Sequence, residues 1–301
     1  MKRKLIKQAN AAYTLTLPIE WIRKNKLSGK SEVEVSISEK SLIISTDSGV
    51  HGGSAVIQAD GLTRRTLYTQ LSAAYARGVD EIKIISKKDI SSELTKSLTS
   101  TMGFAIISQK DDTYLIKDIS GGVYSDLDEI FKRVFQVILL FYEAAINDVF
   151  GTQEETIEGL QARDTEVNKF CLYLQRAINR MSYADPINGR ILFTYSFALE
   201  KISDEIERLW RTNIKQKVKK STAIRELMEI SKESFSKSFE LYYSFNPKKI
   251  DAIYAIRENV REKSLSLLNL DSSTSRFIRH VVKIAEDSAD LTHLTSMRRF
   301  S

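Results

Sequence analysis

The sequence predicts a multidomain chain in three parts: a small β-rich unit over residues 1–48, an α/β unit over 55–120, and two tandem all-α three-helix bundles over 126–213 and 221–298. Three observations predict it. The first 48 residues hold short alternating segments, residues 55–120 alternate strand and helix patterns, and the remainder runs in helical period. Paired acidic residues recur in that helical remainder, which makes it read as a duplication.

In the first unit, Ala12 to Pro18, Glu32 to Ile37 and Leu42 to Ser45 read as strands, and Ile19 to Asn25 reads as a short helix entered through Pro18. So few residues give a very small core, and such a unit is commonly stable only when paired. Homodimerisation through this unit is therefore expected. Its charge is one-sided. Lys2, Arg3, Lys4, Lys7, Arg23 and Lys24, with Lys26 and Lys30, face the single acid Glu20 before position 31. A cationic cluster of this kind suits a phosphate backbone, and equally suits a merely solvated surface.

A Gly/Ser-rich linker follows from Thr46 to Ser54 and contains His51, a lone histidine of no expected role. The middle unit reads as strand Ala55 to Ala59, helix Leu62 to Arg77, strand Glu81 to Ser86, helix Ser91 to Met102, and strands Phe104 to Ser108 and Tyr114 to Asp118. Gly78 and Gly103 stop the two helices. No phosphate-binding glycine loop follows a strand and no nucleophile is placed beside a base, so a connecting role is expected.

Six helices are predicted beyond it: Leu127 to Phe150, Gln153 to Met181, Pro186 to Asn213, Thr222 to Phe245, Pro247 to Asn269 and Thr274 to Met297. Short loops fold each trio antiparallel, with the basic connector Lys215 to Lys220 between them. In the third helix Leu199, Ile202, Ile206 and Leu209 form the apolar stripe, and Glu200 and Asp204 stand four apart on a neighbouring face. Glu286 and Asp290 repeat this in the sixth helix. Asp164 with Asn168 and Glu258 with Glu262 precede them on the second and fifth.

Oxygen ligands at this density suit magnesium, calcium, manganese or oxidised iron. Asn168 keeps an oxygen without a charge, so the first bundle is expected to bind metal more weakly than the second. The alternative is a solvated face on which Lys169, Lys201, Arg257, Arg261 and Lys283 form local ion pairs.

The residues Arg3-Lys4-Leu5, the segment from Leu15 to Arg23, Leu27, and Ser31 to Val35 followed by Leu42 to Ser45 resemble the AbrB/SpoVT DNA-binding family. That resemblance implies an interlocked dimer of swapped hairpins and contact with DNA, Arg23 matching a basic position used for it. Thr14 stands where the family carries an arginine, and Lys30-Ser31 where it carries Gly-Asp. The helical half is similar to PhoU regulators of phosphate uptake, on the segments Arg163 to Asn168, Leu199 to Asp204, Arg257 to Glu262 and Ala285 to Asp290. Here the resemblance implies bound metal, with iron, magnesium, manganese and zinc as candidates. The order of parts resembles archaeal PhoU-like regulators.

Composition bounds the rest. A chain of 301 residues with 42% hydrophobic and 28% charged residues is that of a globular protein, and a net charge of +6 gives mild affinity for polyanions. The only cysteine, Cys171, excludes an internal disulfide and a thiolate metal cage. The most apolar segment, Val134 to Ile146, is broken by Gln136 and Glu143, so no membrane insertion is expected, and a basic start without an apolar stretch behind it points to the cytoplasm.

Together the two resemblances imply a non-enzymatic, phosphate-responsive regulator that contacts DNA through residues 1–48. The alternative is an adaptor of a phosphate transporter or signalling kinase that does not bind DNA. A di-metal enzyme needs Glu-x-x-His on two helices, and only Asp290-x-x-His293 approaches this. Tyr13, Trp21 and Trp210 are expected to pack.

Overall fold

The computed structural model describes residues 2–8, 12–38, 41–46, 53–121, 127–151, 156–180, 186–216 and 218–300. His51 and Lys217 lie outside these, as does most of the glycine-serine linker. The chain divides into two compact units, residues 1–50 and 51–301.

The first unit is two hairpins and one turn of helix. Strands β1 (Ile6–Gln8) and β2 (Ala12–Thr14) pair antiparallel, as do β3 (Glu34–Ser38) and β4 (Ser41–Ser45), and α1 (Ile19–Lys24) lies between the hairpins in sequence. β1 has no counterpart among the strands the sequence predicts, and β2 ends at Thr14, short of Pro18. No residue of the unit whose exposure is described is buried. Leu5, Ile6, Tyr13, Ile19, Val35, Ile37 and Leu42 are each more than half exposed. Trp21 is half-buried.

In the second unit β5 (Ser54–Gln58), α2 (Arg64–Arg77), β6 (Glu81–Ile85), α3 (Ser91–Leu98), β7 (Phe104–Lys110) and β8 (Thr113–Asp118) build a four-stranded sheet of order β5-β6-β8-β7. The βαβ pair β5/β6 is parallel and the other pairings are antiparallel. Thr63 caps α2 by accepting from the Thr66 amide, and Gly78 ends it in the left-handed region at φ +97°. A Cβ at Gly78 would also lie 2.9 Å from Arg180 Cγ, so glycine serves two needs there.

The helical region comprises α4 (Leu127–Val149), α5 (Ile157–Arg180), α6 (Pro186–Lys215), α7 (Thr222–Tyr243), α8 (Pro247–Leu265) and α9 (Ser272–Met297). Ser221, Asn246 and Asp271 cap α7, α8 and α9, with Pro247 opening α8. Two trios are present, but they are not separate bundles. One core runs through both, with Phe135 stacked on Phe239 and packed against Tyr195, Phe235 and Tyr242. The third helices of the trios, α6 and α9, face each other, and Tyr195 Oη lies 3.0 Å from Thr295 Oγ1. Along α7 and α9, Ser231 and Ser238 donate to the Val281 and Ser288 carbonyls at 2.8 and 2.7 Å, which small side chains at close approach allow.

The connector between the trios is anchored. Val218 is buried, and the Lys219 amide donates to Thr274 Oγ1 at 3.0 Å. Cys171 is a buried core residue, and Trp210 is buried with its Nε1 donating to Asp148 at 2.8 Å.

Helix α5 also fastens the helical region to the sheet. Arg176, 1% exposed, donates through Nη1 to the carbonyls of Tyr75 (3.0 Å) and Val79 (2.7 Å), and through Nη2 to Asp118 (2.7 Å) and Asp80 (3.2 Å). Its guanidinium lies over the rings of Tyr75 and Phe104. Asn179 and Arg180 add bonds to the Ala76 and Gly78 carbonyls.

Candidate functional site

The residues expected to carry the chemistry lie in two regions. In the N-terminal unit Lys2, Arg3 and Lys4 precede β1, Lys7 lies within it, and Arg23 and Lys24 close α1. All six are exposed, and none pairs with a carboxylate among the described residues. Arg23 and Lys24 stand at the helix C-terminus, where the dipole favours cations and leaves their charge outward.

The acidic pairs behave differently in the two trios. In the first, Asp164 and Asn168 lie on α5 beside each other, and Glu200 and Asp204 on α6 are near enough for their charges to act on Asp164. Asp164 is buried and accepts from Ser203 Oγ and Asn168 Nδ2, both at 3.2 Å. Burial pushes its carboxyl up to about 7, helped by the charges of Glu207, Asp204 and Glu200. Glu200 is raised by burial and then by Asp204. Asp204 is raised by burial, against which Arg208 pulls from 2.8 Å.

In the second trio arginine lies where a cation was expected. Arg261 donates through Nε and Nη2 to Glu286 Oε1 (2.9 and 2.7 Å) and through Nη1 to Glu258 (3.1 Å), and Arg257 also binds Glu258. Glu262 and Asp290 are exposed. The two clusters thus differ in their partners: arginines occupy Glu258 and Glu286 in the second, whereas in the first Arg208 reaches Asp204 and burial holds Asp164 and Glu200 above their usual range. Among the described residues no three His, Cys, Asp or Glu side chains converge as a metal group would require. The raised carboxyls of the first cluster fit a cation in charge, whereas the arginine fork on Glu286 does not.

Four participants escaped the sequence. Ser203 and Glu207 join the first cluster because α6 turns both toward α5; the i, i+3 spacing from Glu200 and Asp204 was a signal for each. His280 binds Glu205 at 2.7 Å across α6 and α9 and, with Arg208, holds that carboxyl below its usual value against burial. Nothing in the sequence spacing joins those two residues. His293, the partner of the Asp290-x-x-His motif, is exposed.

Comparison with protein-family models, curated proteins and solved structures finds no match. Among the described residues no helix is long and apolar enough to cross a membrane.

Proposed function

We propose that this chain is a homodimeric, PhoU-like regulator of phosphate uptake or of phosphate-responsive transcription, whose residues 1–48 contact DNA and whose helical region senses. One observation carries the reading: the N-terminal unit exposes large apolar side chains such as Leu5, Tyr13 and Ile37 together with six cations that form no ion pair among the described residues. An isolated two-stranded hairpin is marginal in water, so these apolar faces need a second copy of the same unit. Pairing of that kind sets two cationic clusters on one scaffold, which matches a duplex rather than a small ligand.

In the helical region the Asp164, Glu200 and Asp204 carboxyls supply the sensing element. Their shared excess of negative charge responds to a bound divalent cation or to protons. A metal bound there would act as a fixed positive charge, and Ser203 and Asn168 would orient Asp164 toward it. Exposed Thr14 in place of the family's arginine favours a second reading, in which the chain is an adaptor for a phosphate transporter or signalling kinase.

Affinity for duplex DNA measured against salt tests the first reading. Contact with several phosphates makes the logarithm of affinity fall linearly with the logarithm of salt, and Arg23→Ala with Lys24→Ala should shallow that slope by about 1 for each phosphate no longer neutralised. Binding that is absent, or indifferent to salt, removes the DNA reading and leaves the adaptor.

A further inference from the structure

Helices α2 and α5 and the end of α3 border an open cleft of about 710 Å³ whose lining includes Arg64, Arg65 and Lys96 and no carboxylate. None of these three cations forms an ion pair among the described residues. We propose that this cleft binds a phosphorylated small molecule of nucleotide size. It lies wholly within the second unit, so the inference stands apart from the DNA reading.

Four features converge on that ligand class. Arg64 and Arg65 are the first two residues of α2, directly after the Thr63 cap, and the first turn holds no acid. Cations there oppose the positive end of the helix dipole, and the local field is relieved by an anion lying between dipole and guanidinium groups. Arginine forks from α2 and a lysine from α3 match the oxygens of a phosphate or polyphosphate.

Ser100 lines the same cleft, is only 6% exposed, and its hydroxyl has no hydrogen-bond partner among the described residues. It is a donor held ready beside the cations. Asn168, on the α5 side, gives Nδ2 to Asp164 while its Oδ1 has no partner among the described residues, leaving an acceptor for a ligand hydroxyl or amine. Tyr68, half-buried, offers a ring against which a planar base can stack.

Size separates the candidates within phosphate chemistry. The volume falls inside the range of roughly 300–1,000 Å³ typical of small-molecule sites. Inorganic phosphate would occupy a fraction of it and leave Tyr68 and Asn168 untouched. A nucleotide can engage the cations with its phosphates and the ring and amide with its base or sugar.

The test is isothermal titration calorimetry of the full chain with ATP, AMP and inorganic phosphate at constant ionic strength, with hydrogen exchange in the presence of ATP. The expected result is saturable binding of ATP, weakened at least about tenfold in Arg65→Ala/Lys96→Ala and unchanged in Arg133→Ala. Phosphate binds at least about tenfold more weakly than ATP, and ATP slows exchange over residues 64–68 and 96–100. Arg65 and Lys96 are exposed, so their replacement leaves the core intact. The proposal is overturned if neither nucleotide binds, if ATP affinity is the same in the double variant, if Arg133→Ala weakens it equally, or if phosphate binds as tightly as ATP.

Discussion

Replacing Arg176 by methionine removes the buried cation that ties α5 to the sheet. The side chain is 1% exposed and bonds two carbonyls and two carboxylates, of which Asp118 has a side chain only 5% exposed. Taking one partner from a buried ion pair leaves the other charge stranded, at about 3–5 kcal/mol. Each carbonyl deprived of its donor adds about 1 kcal/mol unless water reaches it. Two terms reduce the total. Arg176 Nε has no partner to lose, and Ser120 continues to donate to Asp118 at 2.9 Å through its amide and 2.5 Å through its hydroxyl. The expected loss is therefore about 3–4 kcal/mol.

Urea unfolding followed by far-ultraviolet circular dichroism reads this loss, and hydrogen exchange places it in β6, β8 and the end of α2. Adding Asp118→Asn to Arg176→Met should restore about 1 kcal/mol or more, because the stranded charge is then gone. The pH dependence supplies a second reading. Burial pushes Asp118 up, but the Ser120 hydrogen bonds and Arg176 outweigh it and hold the carboxyl below its ordinary value of 3.8. Its stabilisation is thus present above that value and lost as pH falls through the lower folded one. Arg176→Met should flatten this acid limb. A loss below about 1 kcal/mol, comparable to an exposed pair, would refute the reasoning.

Asp164→Asn tests the first acidic cluster. A folded carboxyl near 7 against 3.8 unfolded contributes stability fully present below 3.8 and lost as pH rises through 7. The variant should be more stable than the parent at pH 8 by up to about 4 kcal/mol, less the bond from Asn168 that an amide nitrogen cannot accept. The advantage should fade toward pH 4, and an equal shift at both pH values in thermal unfolding would contradict it. For metal, manganese titration followed by elemental analysis should show Glu200→Ala/Asp204→Ala lowering the content and Glu286→Ala/Asp290→Ala leaving it unchanged; the reverse outcome would return the site to the second trio. Arg261→Ala strands Glu286 on a partly exposed surface, and a cost of about 0.2–1 kcal/mol is expected in urea unfolding.

Much of this architecture was legible because punctuation in the sequence is chemical. Gly78 ends α2, Asn246-Pro247 separates α7 from α8, and Asp271 opens α9, each at a position where few other residues meet the backbone demand. The 3.6-residue period placed Leu199, Ile202, Ile206 and Leu209 inside, and they are buried. The spacing of Asp164, Asn168, Glu200 and Asp204 set them on α5 and α6, where the charges of Glu200 and Asp204 act on Asp164.

What escaped was tertiary. Arg176 is charged within an amphipathic pattern, so periodicity alone gives no reason to bury it; the carbonyls of Tyr75 and Val79 and the carboxylates of Asp80 and Asp118 do. The trios looked separate because a repeat reads along the chain, whereas the shared core arises from α6 meeting α9. Arg261 breaks the symmetry of the acidic clusters by reaching from α8 to α9, a contact that spacing within one helix does not encode. The cationic cleft draws on three segments that lie far apart in sequence.

Sedimentation velocity of the full chain with a short duplex tests the central proposal most directly, since it reads pairing and DNA contact together. The account predicts a complex of two chains on one duplex that dissociates as salt is raised, and that is abolished when Lys2, Arg3, Lys4 and Lys7 are replaced by serine. A single chain per duplex, or free DNA alongside free protein at low salt, would contradict it.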